Sequence, residues 1–139
     1  MIAAFLYSQL ENIDKINQKH LDIWNAYNEF FSQYDNIIRR PYCPSDCKHN
    51  AHMYYLLFND LESRTKFIDY MKANNISTVF HYIPLHSSPA GKKYCRTFGN
   101  MNITDKISDI LVRLPLYYEL NDEQFHQITK NVSAFFENM

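Results

Sequence analysis

The segment from Ala3 to Phe31 is the part of the sequence that most restricts the fold. It contains neither Gly nor Pro, and large apolar or aromatic side chains recur in it at alternating spacings of three and four. These side chains are Leu6, Leu10, Ile13, His20, Trp24, Tyr27 and Phe31. The spacing predicts one helix with an apolar stripe, ~43 Å long at 1.5 Å per residue if it is unbroken. Such a helix is long for a small domain.

The start of this helix lacks a capping signal. Residues 1–6 enter the apolar pattern at once, with no Ser, Thr, Asp or Asn ahead of them. Because those residue types are preferred at helix N-termini, we expect the chain to start inside a longer helix.

Two apolar segments predict strands. Residues 52–58 are apolar on both alternating faces, as in a central strand that is covered on both sides, and residues 76–82 form the second candidate. Between them, Asn59 and Asp60 offer an N-cap for a helix that ends near Asn74.

The C-terminal part is predicted to hold a long surface loop and two helices. Residues 83–102 contain most of the Pro and Gly punctuation and form the loop. Thr104 can cap a short helix that runs to about Arg113, and Asn121 with Gln124 resembles a capping box that opens a last helix.

The order of these elements predicts an α/β (α+β) domain with a small sheet packed by helices. The 139 residues are enough for a single hydrophobic core, and 16% aromatic residues indicate a folded chain. We therefore expect one domain over residues 1–139.

The charge pattern restricts the partners. Fourteen Lys and Arg balance fifteen Asp and Glu, and no run of one sign is long enough to form a charged face, whereas nucleic acids and anionic membranes select clustered positive charge. No apolar stretch reaches the length of a membrane span, and the N-terminus lacks the basic start of a secretory signal. The expectation is a cytoplasmic protein that binds neither nucleic acid nor membrane, with three reduced cysteines.

Glycine is scarce, since Gly91 and Gly99 are the only two. Loops that cradle phosphates with backbone N–H groups need several glycines for close approach. The sequence therefore cannot supply a P-loop or a dinucleotide-binding loop.

A zinc site and a cysteine nucleophile are two weakly supported alternative interpretations of the sequence. Cys43, Cys47, His49 and His52 are the ligand types of tetrahedral zinc, but the first spacing exceeds C-x2-C and no second pair follows. A cysteine nucleophile could be assembled from Cys95, His86 and Asp105, but no local signature supports it.

The segment 80–96 carries the densest polar chemistry. After a predicted strand it presents His81, Tyr82 and His86, and then three cations that begin with Lys92. Strand ends that open into loops are common ligand sites, and imidazole, phenol and ammonium suit a phosphate or a hydroxyl-rich ligand. The alternative is an ordinary surface loop with His81 and Tyr82 packed beneath it.

The sequence HYIPLHSSP at residues 81–89 resembles the H-Y-x-P-L-H-x-x-P signature in the C-terminal domain of the DegT/DnrJ/EryC1/StrS family of PLP-dependent sugar-nucleotide aminotransferases. Residues 3–11 (AAFLYSQLE), 49–55 (HNAHMYY) and 114–121 (LPLYYELN) resemble that family as well, in the same order. Within the family, the likeness is greatest to the branch of dTDP-4-amino-4,6-dideoxygalactose transaminases.

The resemblance implies the small C-terminal domain of the aspartate-aminotransferase fold (fold type I PLP enzymes), without the large PLP-binding domain. None of the nine lysines stands in a context like the family's Schiff-base site, so no catalytic residue is expected here. PLP is expected in the complete enzyme, and none is expected on this chain alone.

By the same resemblance, His81, Tyr82 and His86 would border the active site and contact the substrate, with Lys92 as a weaker electrostatic contact. The implied function is part of a transaminase that converts a nucleotide-linked 4-keto-6-deoxy sugar to the amino sugar. Implied partners are the missing large domain or a partner chain, and a second copy in a homo-oligomer. The alternative is a stand-alone nucleotide-sugar-binding or dimerisation module.

Overall fold

The structure is a computed structural model that describes residues 2–138. Its helices and strands, in chain order, are α1 Ile2–Glu11, α2 Ile13–Phe31, β1 Tyr54–Leu57, α3 Leu61–Ala73, β2 Val79–Phe80, α4 Pro89–Tyr94, α5 Asn102–Ile110, β3 Leu111–Leu114 and α6 Asp122–Glu137. Helices and a small antiparallel sheet therefore make up the fold, as predicted. Across residues 2–138, no helix has the length and apolar character needed to cross a membrane.

The sheet has the order β1-β3-β2, and both pairs are antiparallel. The predicted central strand β1 is therefore an edge strand, extended on its outer side by one isolated bridge between Arg39 and Leu57. The true central strand, β3, was missed, because residues 111–114 were assigned to a helix that ended near Arg113. A short apolar run cannot be assigned to helix or strand by periodicity alone.

The predicted N-terminal helix is two helices that are separated at Asn12. The Asn12 side chain donates to the Ser8 carbonyl oxygen at 3.1 Å, which offers the backbone an alternative to a continuous helix. In α1 no residue is buried, whereas α2 buries four side chains against the sheet. Packing thus holds α2 but not α1, and Met1, where the uncapped start was predicted, lies outside the described residues.

Two of the predicted helix caps are confirmed and one is wrong. The Asp60 carboxylate accepts a backbone N–H in the first turn of α3 at 2.7 Å. Asn121 and Gln124 form a reciprocal capping box with hydrogen bonds of 2.9 and 3.1 Å. Thr104 caps nothing, because α5 begins before it, at Asn102.

Aromatic side chains from α2, β1, α3 and α6 fill the core beneath the sheet. Tyr27 and Phe31 of α2 are fully buried and pack on Tyr54 of β1, with ring centroids 5.1 and 5.8 Å apart. The Tyr27 hydroxyl donates to the Pro115 carbonyl oxygen at 2.9 Å. This core covers the inner face of the sheet, so ligand-binding residues must lie on the outer face and in the connecting loops.

Candidate functional site

The loop of residues 81–89 follows β2 directly and is built from consecutive turns. The backbone N–H groups of Ser87 and Ser88 both donate to the Pro84 carbonyl oxygen at 3.1 Å. Ser88 then caps α4 by accepting the Gly91 N–H on its hydroxyl at 3.0 Å. The segment predicted as an open loop is therefore internally hydrogen-bonded, which limits its freedom to move.

Tyr82 has a left-handed backbone, with φ of 66°. This region is uncommon for a residue other than glycine, and such strain clusters at functional sites. The Tyr82 ring lies 4.3 Å from the His81 ring and 5.4 Å from the Arg113 guanidinium carbon, measured between ring centroids and from centroid to Cζ. The ring remains 63% exposed, so the strained backbone presents a phenol to solvent above Arg113.

His81 is half-buried, and its Nδ1 atom is buried without a hydrogen-bond partner among residues 2–138. Burial lowers the pKa of His81, and the charges of Arg113 and His52 lower it further. The imidazole is therefore neutral near pH 7, with one ring nitrogen as a donor and the other as an acceptor.

A cavity of about 580 Å³, named here the loop cavity, opens beside His81 and Tyr82. Its walls come from residues 81–85, from α5 and from Leu111 at the start of β3. Most of these side chains are apolar, and Thr104 and Ser108 add hydroxyl groups. Apolar walls with a few polar groups are typical of sites for small organic ligands.

His86 lies elsewhere. Its Nε2 atom is 2.8 Å from Oδ1 of Asp105, which ties the 81–89 loop to α5. Lys92 is exposed on α4, and neither His86 nor Lys92 lines the loop cavity. The structure thus brings together two of the four predicted contact residues, and substrate contacts by all four stay predictions.

The two weaker sequence alternatives gain no support from the geometry. His86 and Asp105 do meet, but within residues 2–138 the Cys95 thiol has no hydrogen bond to either. His49 instead accepts the Ala51 N–H on Nδ1 at 2.7 Å and packs on Trp24, 4.5 Å between ring centroids. In the described part of the chain, no three His, Cys, Asp or Glu side chains gather as metal ligands.

Arg113 is the site residue that sequence reasoning missed. It lies on β3 and lines a second cavity of about 530 Å³, named here the sheet-edge cavity, together with His52, Tyr117 and Gln124. The only sequence signal is a single charge inside the apolar run ILVRLP. The sequence predicts a helix from Thr104 to about Arg113, and an Arg in the last turn of a helix is ordinary.

We expect the chain to become less stable as the pH falls below about 6.5. Burial lowers the pKa of His49, and His52 lowers it further; His81 is shifted in the same direction. The unfolded chain therefore binds protons more readily, so stability is fully present above the unfolded pKa and is lost as the pH falls through the folded pKa. Urea unfolding followed by Trp24 fluorescence at pH 7.5 and 5.5 measures the loss.

His49→Gln tests the cause, because it keeps a hydrogen-bond acceptor and removes the titrating group. Its stability should change less between the two pH values than that of the wild type. His126→Gln, at an exposed position on α6, serves as the control. An unchanged pH dependence in His49→Gln would show that the acid sensitivity arises elsewhere.

The sequence model of the DegT/DnrJ/EryC1/StrS aminotransferase family matches residues 1–133. Among curated proteins, MJ1066 of Methanocaldococcus jannaschii is 30% identical, and the match covers 89% of this chain and 33% of that protein. The dTDP-3-amino-3,6-dideoxy-alpha-D-galactopyranose transaminase of Aneurinibacillus thermoaerophilus is 26% identical, with coverage of 96% and 35%. The chain thus spans about a third of the length of these relatives.

Solved structures show the same fold. DesV of S. venezuelae, determined in complex with a ketimine intermediate, superposes with a TM-score of 0.87 at 22% identity, over 99% of this chain and 36% of that one. The aminotransferase TlmJ of Streptoalloteichus hindustanus gives 0.83 at 20% identity, over 95% and 35%. The fold expected from the resemblance, part of a fold type I aminotransferase, is therefore confirmed.

Proposed function

Because the chain belongs to the DegT/DnrJ/EryC1/StrS aminotransferase family, we propose that it is the C-terminal, substrate-contacting part of a PLP-dependent sugar-nucleotide transaminase. The complete enzyme would convert a nucleotide-linked 4-keto-6-deoxy sugar to the amino sugar. In this proposal the chain binds and orients the substrate, and it is not active alone.

The observation that carries the proposal is the loop cavity beside the strained Tyr82. A deoxy sugar offers an apolar face and hydroxyl groups, and the cavity offers apolar walls with Thr104 and Ser108 as hydrogen-bonding groups. His81 and Tyr82 add an imidazole and a phenol at its edge. These groups can hold and orient a sugar, which is the task we assign to the chain.

The described residues do not fit PLP as a lysine-bound cofactor. Lys19 is half-buried in α2 and the other eight lysines are exposed. Within residues 2–138, no lysine lines the loop cavity or the sheet-edge cavity. PLP supplies the electron sink for transamination when it is bound to a complete enzyme, and we assign no chemical step to this chain.

The exposed apolar side chains of helix α1 favour contact with a protein surface over contact with a small molecule. Phe5, Leu6, Tyr7 and Leu10 are 71%, 55%, 65% and 55% exposed, and Ile2 is 87% exposed. Contiguous exposed apolar surface of this kind marks an interaction site. We propose that the rest of the transaminase, on the same or on another chain, covers α1, and that a second copy of the assembly completes a homo-oligomer.

The proposal predicts that the chain binds a dTDP-linked 6-deoxy sugar through His81 and Tyr82. In the double variant His81→Ala with Tyr82→Phe, two polar groups at the cavity edge are lost, and we expect affinity to fall at least ~10-fold, since a hydrogen bond contributes roughly 1 kcal/mol. Isothermal titration calorimetry of the purified chain measures this. The matched control is His126→Ala with Tyr42→Phe, two exposed positions that line neither cavity.

Two outcomes would contradict the proposal. Equal affinity of the double variant and the wild type would remove His81 and Tyr82 from the binding site. A stoichiometric lysine adduct, formed by the chain with PLP and fixed by borohydride at one position, would give the chain a reacting lysine of its own.

A further inference from the structure

Arg113 occupies the middle of the sheet, on the face that the core does not cover. In the register of β3 it pairs with Tyr55 of β1 and with Val79 of β2. Its neighbours Val112 and Leu114 are buried in the core. Because side chains alternate between the two faces of a strand, the Arg113 side chain leaves on the outer face, beside the 81–89 loop.

The Arg113 guanidinium has no counter-charge. Across residues 2–138, the ion pairs are Arg40 with Asp35, Lys66 with Glu62 and the His86–Asp105 contact, and none includes Arg113. The Nε atom of Arg113 is buried and has no hydrogen-bond partner there either. Leaving a buried cationic donor unpaired costs free energy, and an anion that approaches the guanidinium would offset part of this cost.

Arg113 differs in this respect from the other arginines of residues 2–138. The Arg40 Nε–H donates to the Asp35 carboxylate at 2.6 Å, and the Arg64 Nε–H donates to the Asp109 carbonyl oxygen at 2.9 Å. Arg39 and Arg96 are exposed to solvent, so within residues 2–138 Arg113 is the arginine whose Nε–H is both buried and unpartnered.

The surroundings of Arg113 favour an anion. The sheet-edge cavity holds about 530 Å³, and none of its described lining residues is Asp or Glu. His52 and Gln124 lie in its wall, and His81, with its own unpartnered Nδ1, has its pKa lowered partly by Arg113 and His52. The Arg113 cation thus faces a cavity whose described lining holds hydrogen-bonding groups but no carboxylate, which is the electrostatic setting of an anion site.

We propose that Arg113 binds an oxyanion of a substrate, a carboxylate or a phosphate, in the sheet-edge cavity that it lines. A guanidinium presents parallel N–H donors that match both anions. The anion site stands on the geometry of Arg113, and its assignment to a substrate of the transaminase rests on the proposed function. A carboxylate would come from the amino donor, and a phosphate from the nucleotide.

The Arg113 Nε–Hε resonance in ¹⁵N NMR spectra tests the site directly. The signal is assigned by its disappearance in Arg113→Lys. Titrations with L-glutamate, inorganic pyrophosphate and dTDP, at constant ionic strength kept with chloride, should move it saturably with at least one anion. A response to glutamate indicates a carboxylate, and a response to pyrophosphate and dTDP indicates a phosphate. The Nε–Hε signals of Arg40 and Arg64 should stay in place, because their donors are occupied.

Two variants measure how much Arg113 contributes to the affinity for the anion. Arg113→Met removes the charge at similar length, and we expect affinity for the responding anion to fall at least ~10-fold, while Arg113→Lys retains part of it. Arg39→Met, at an exposed arginine that lines neither site cavity, should bind as the wild type does. Near-ultraviolet circular dichroism shows that each variant is folded.

Three results would overturn the inference: no saturable shift with any of the three anions, equal shifts at Arg40 and Arg64, or wild-type affinity in Arg113→Met. Its failure is separable from that of the proposed function. Binding of a dTDP-sugar that needs His81 and Tyr82, together with no saturable Arg113 shift for any of the three anions, refutes the anion site alone. A saturable Arg113 shift with no binding of the dTDP-sugar refutes the proposed function alone.

Discussion

Gly91→Ala is expected to disrupt the turn between the 81–89 loop and α4. An alanine Cβ at this position would lie 1.6 Å from the carbonyl oxygen of Leu85 and 2.7 Å from its carbon. Both atoms belong to the backbone, so no side-chain rotation relieves the contact. Overpacking usually costs about 1–3 kcal/mol, and we place this variant at or above the upper end.

Gly91→Ala should disturb the hydrogen bonds of α4 before it unfolds the whole domain. The Gly91 N–H donates to the Ser88 hydroxyl, and the Gly91 carbonyl oxygen accepts the Cys95 N–H at 2.9 Å. Moving Gly91 away from Leu85 breaks both ends of this short helix. Hydrogen exchange at the amides of Lys92 and Cys95 should therefore accelerate in Gly91→Ala, and affinity for a dTDP-sugar should fall because residues 81–85 lose their support.

Gly99→Ala is the matched control. Gly99 has φ of +68° but no atom within 4 Å of the position that a Cβ would take. Its cost is conformational only, about 1 kcal/mol. Urea unfolding of the two variants separates crowding from backbone conformation, and equal losses of stability would show that the contact with Leu85 is relieved at no cost.

The helix caps that the sequence predicted correctly depend only on residues that are close together in the sequence. Asp60 caps α3, and Asn121 with Gln124 caps α6, through hydrogen bonds that span three residues. Such contacts form whatever surrounds the helix, so residue type and spacing predict them.

The features that sequence placed wrongly depend on distant partners. Residues 111–114 are a strand because β1 and β2 pair with them on both sides, and neither partner adjoins them in sequence. The break at Asn12 lies in a part of the chain that does not pack on the core, because the buried side chains of α2 begin only at Ile23 and no residue of α1 is buried. The apolar periodicity of residues 3–31 predicts a continuous stripe, but it does not show which part of the stripe packs on other elements.

The candidate site also combines residues that the sequence predicted with contacts that only the fold shows. The family signature located His81 and Tyr82, which the structure places together at the loop cavity. The contact of His86 with Asp105 joins residues nineteen positions apart, and the approach of Arg113 to Tyr82 depends on the sheet. Composition and spacing contain neither fact, so the role of His86 in the loop and the existence of the Arg113 site emerge only from the fold.

Tyr27→Ala is expected to cost about 3–5 kcal/mol, the range for removing a buried aromatic ring. Tyr27 is fully buried, and its ring packs on Tyr54 and on Phe125, with centroids 5.1 and 4.8 Å apart. Since domains of this size are stable by only about 5–15 kcal/mol, the variant should lose a large fraction of its free energy of unfolding. Chemical denaturation at several temperatures measures the loss, and a cost near 1 kcal/mol would mean that the core repacks around the cavity.

The hydroxyl of Tyr27 can be separated from its ring by comparing Tyr27→Phe with Tyr54→Phe. The first variant leaves the Pro115 carbonyl oxygen without its donor at 2.9 Å and should cost about 1–2 kcal/mol. The second removes a buried hydroxyl that has no partner among residues 2–138, and should be neutral or stabilising by up to about 1 kcal/mol. Burial raises the pKa of both phenols, so both are neutral and no change of charge complicates the comparison.

The same pair of variants links the core to the site. Pro115 lies in the wall of the sheet-edge cavity, two residues after Arg113. Without the hydrogen bond from Tyr27, Pro115 is held less firmly in the wall of the cavity. Tyr27→Phe should therefore also weaken anion binding at Arg113, whereas Tyr54→Phe should not. If both variants bind the anion equally, the position of Pro115 is fixed by the sheet and not by the hydroxyl beneath it.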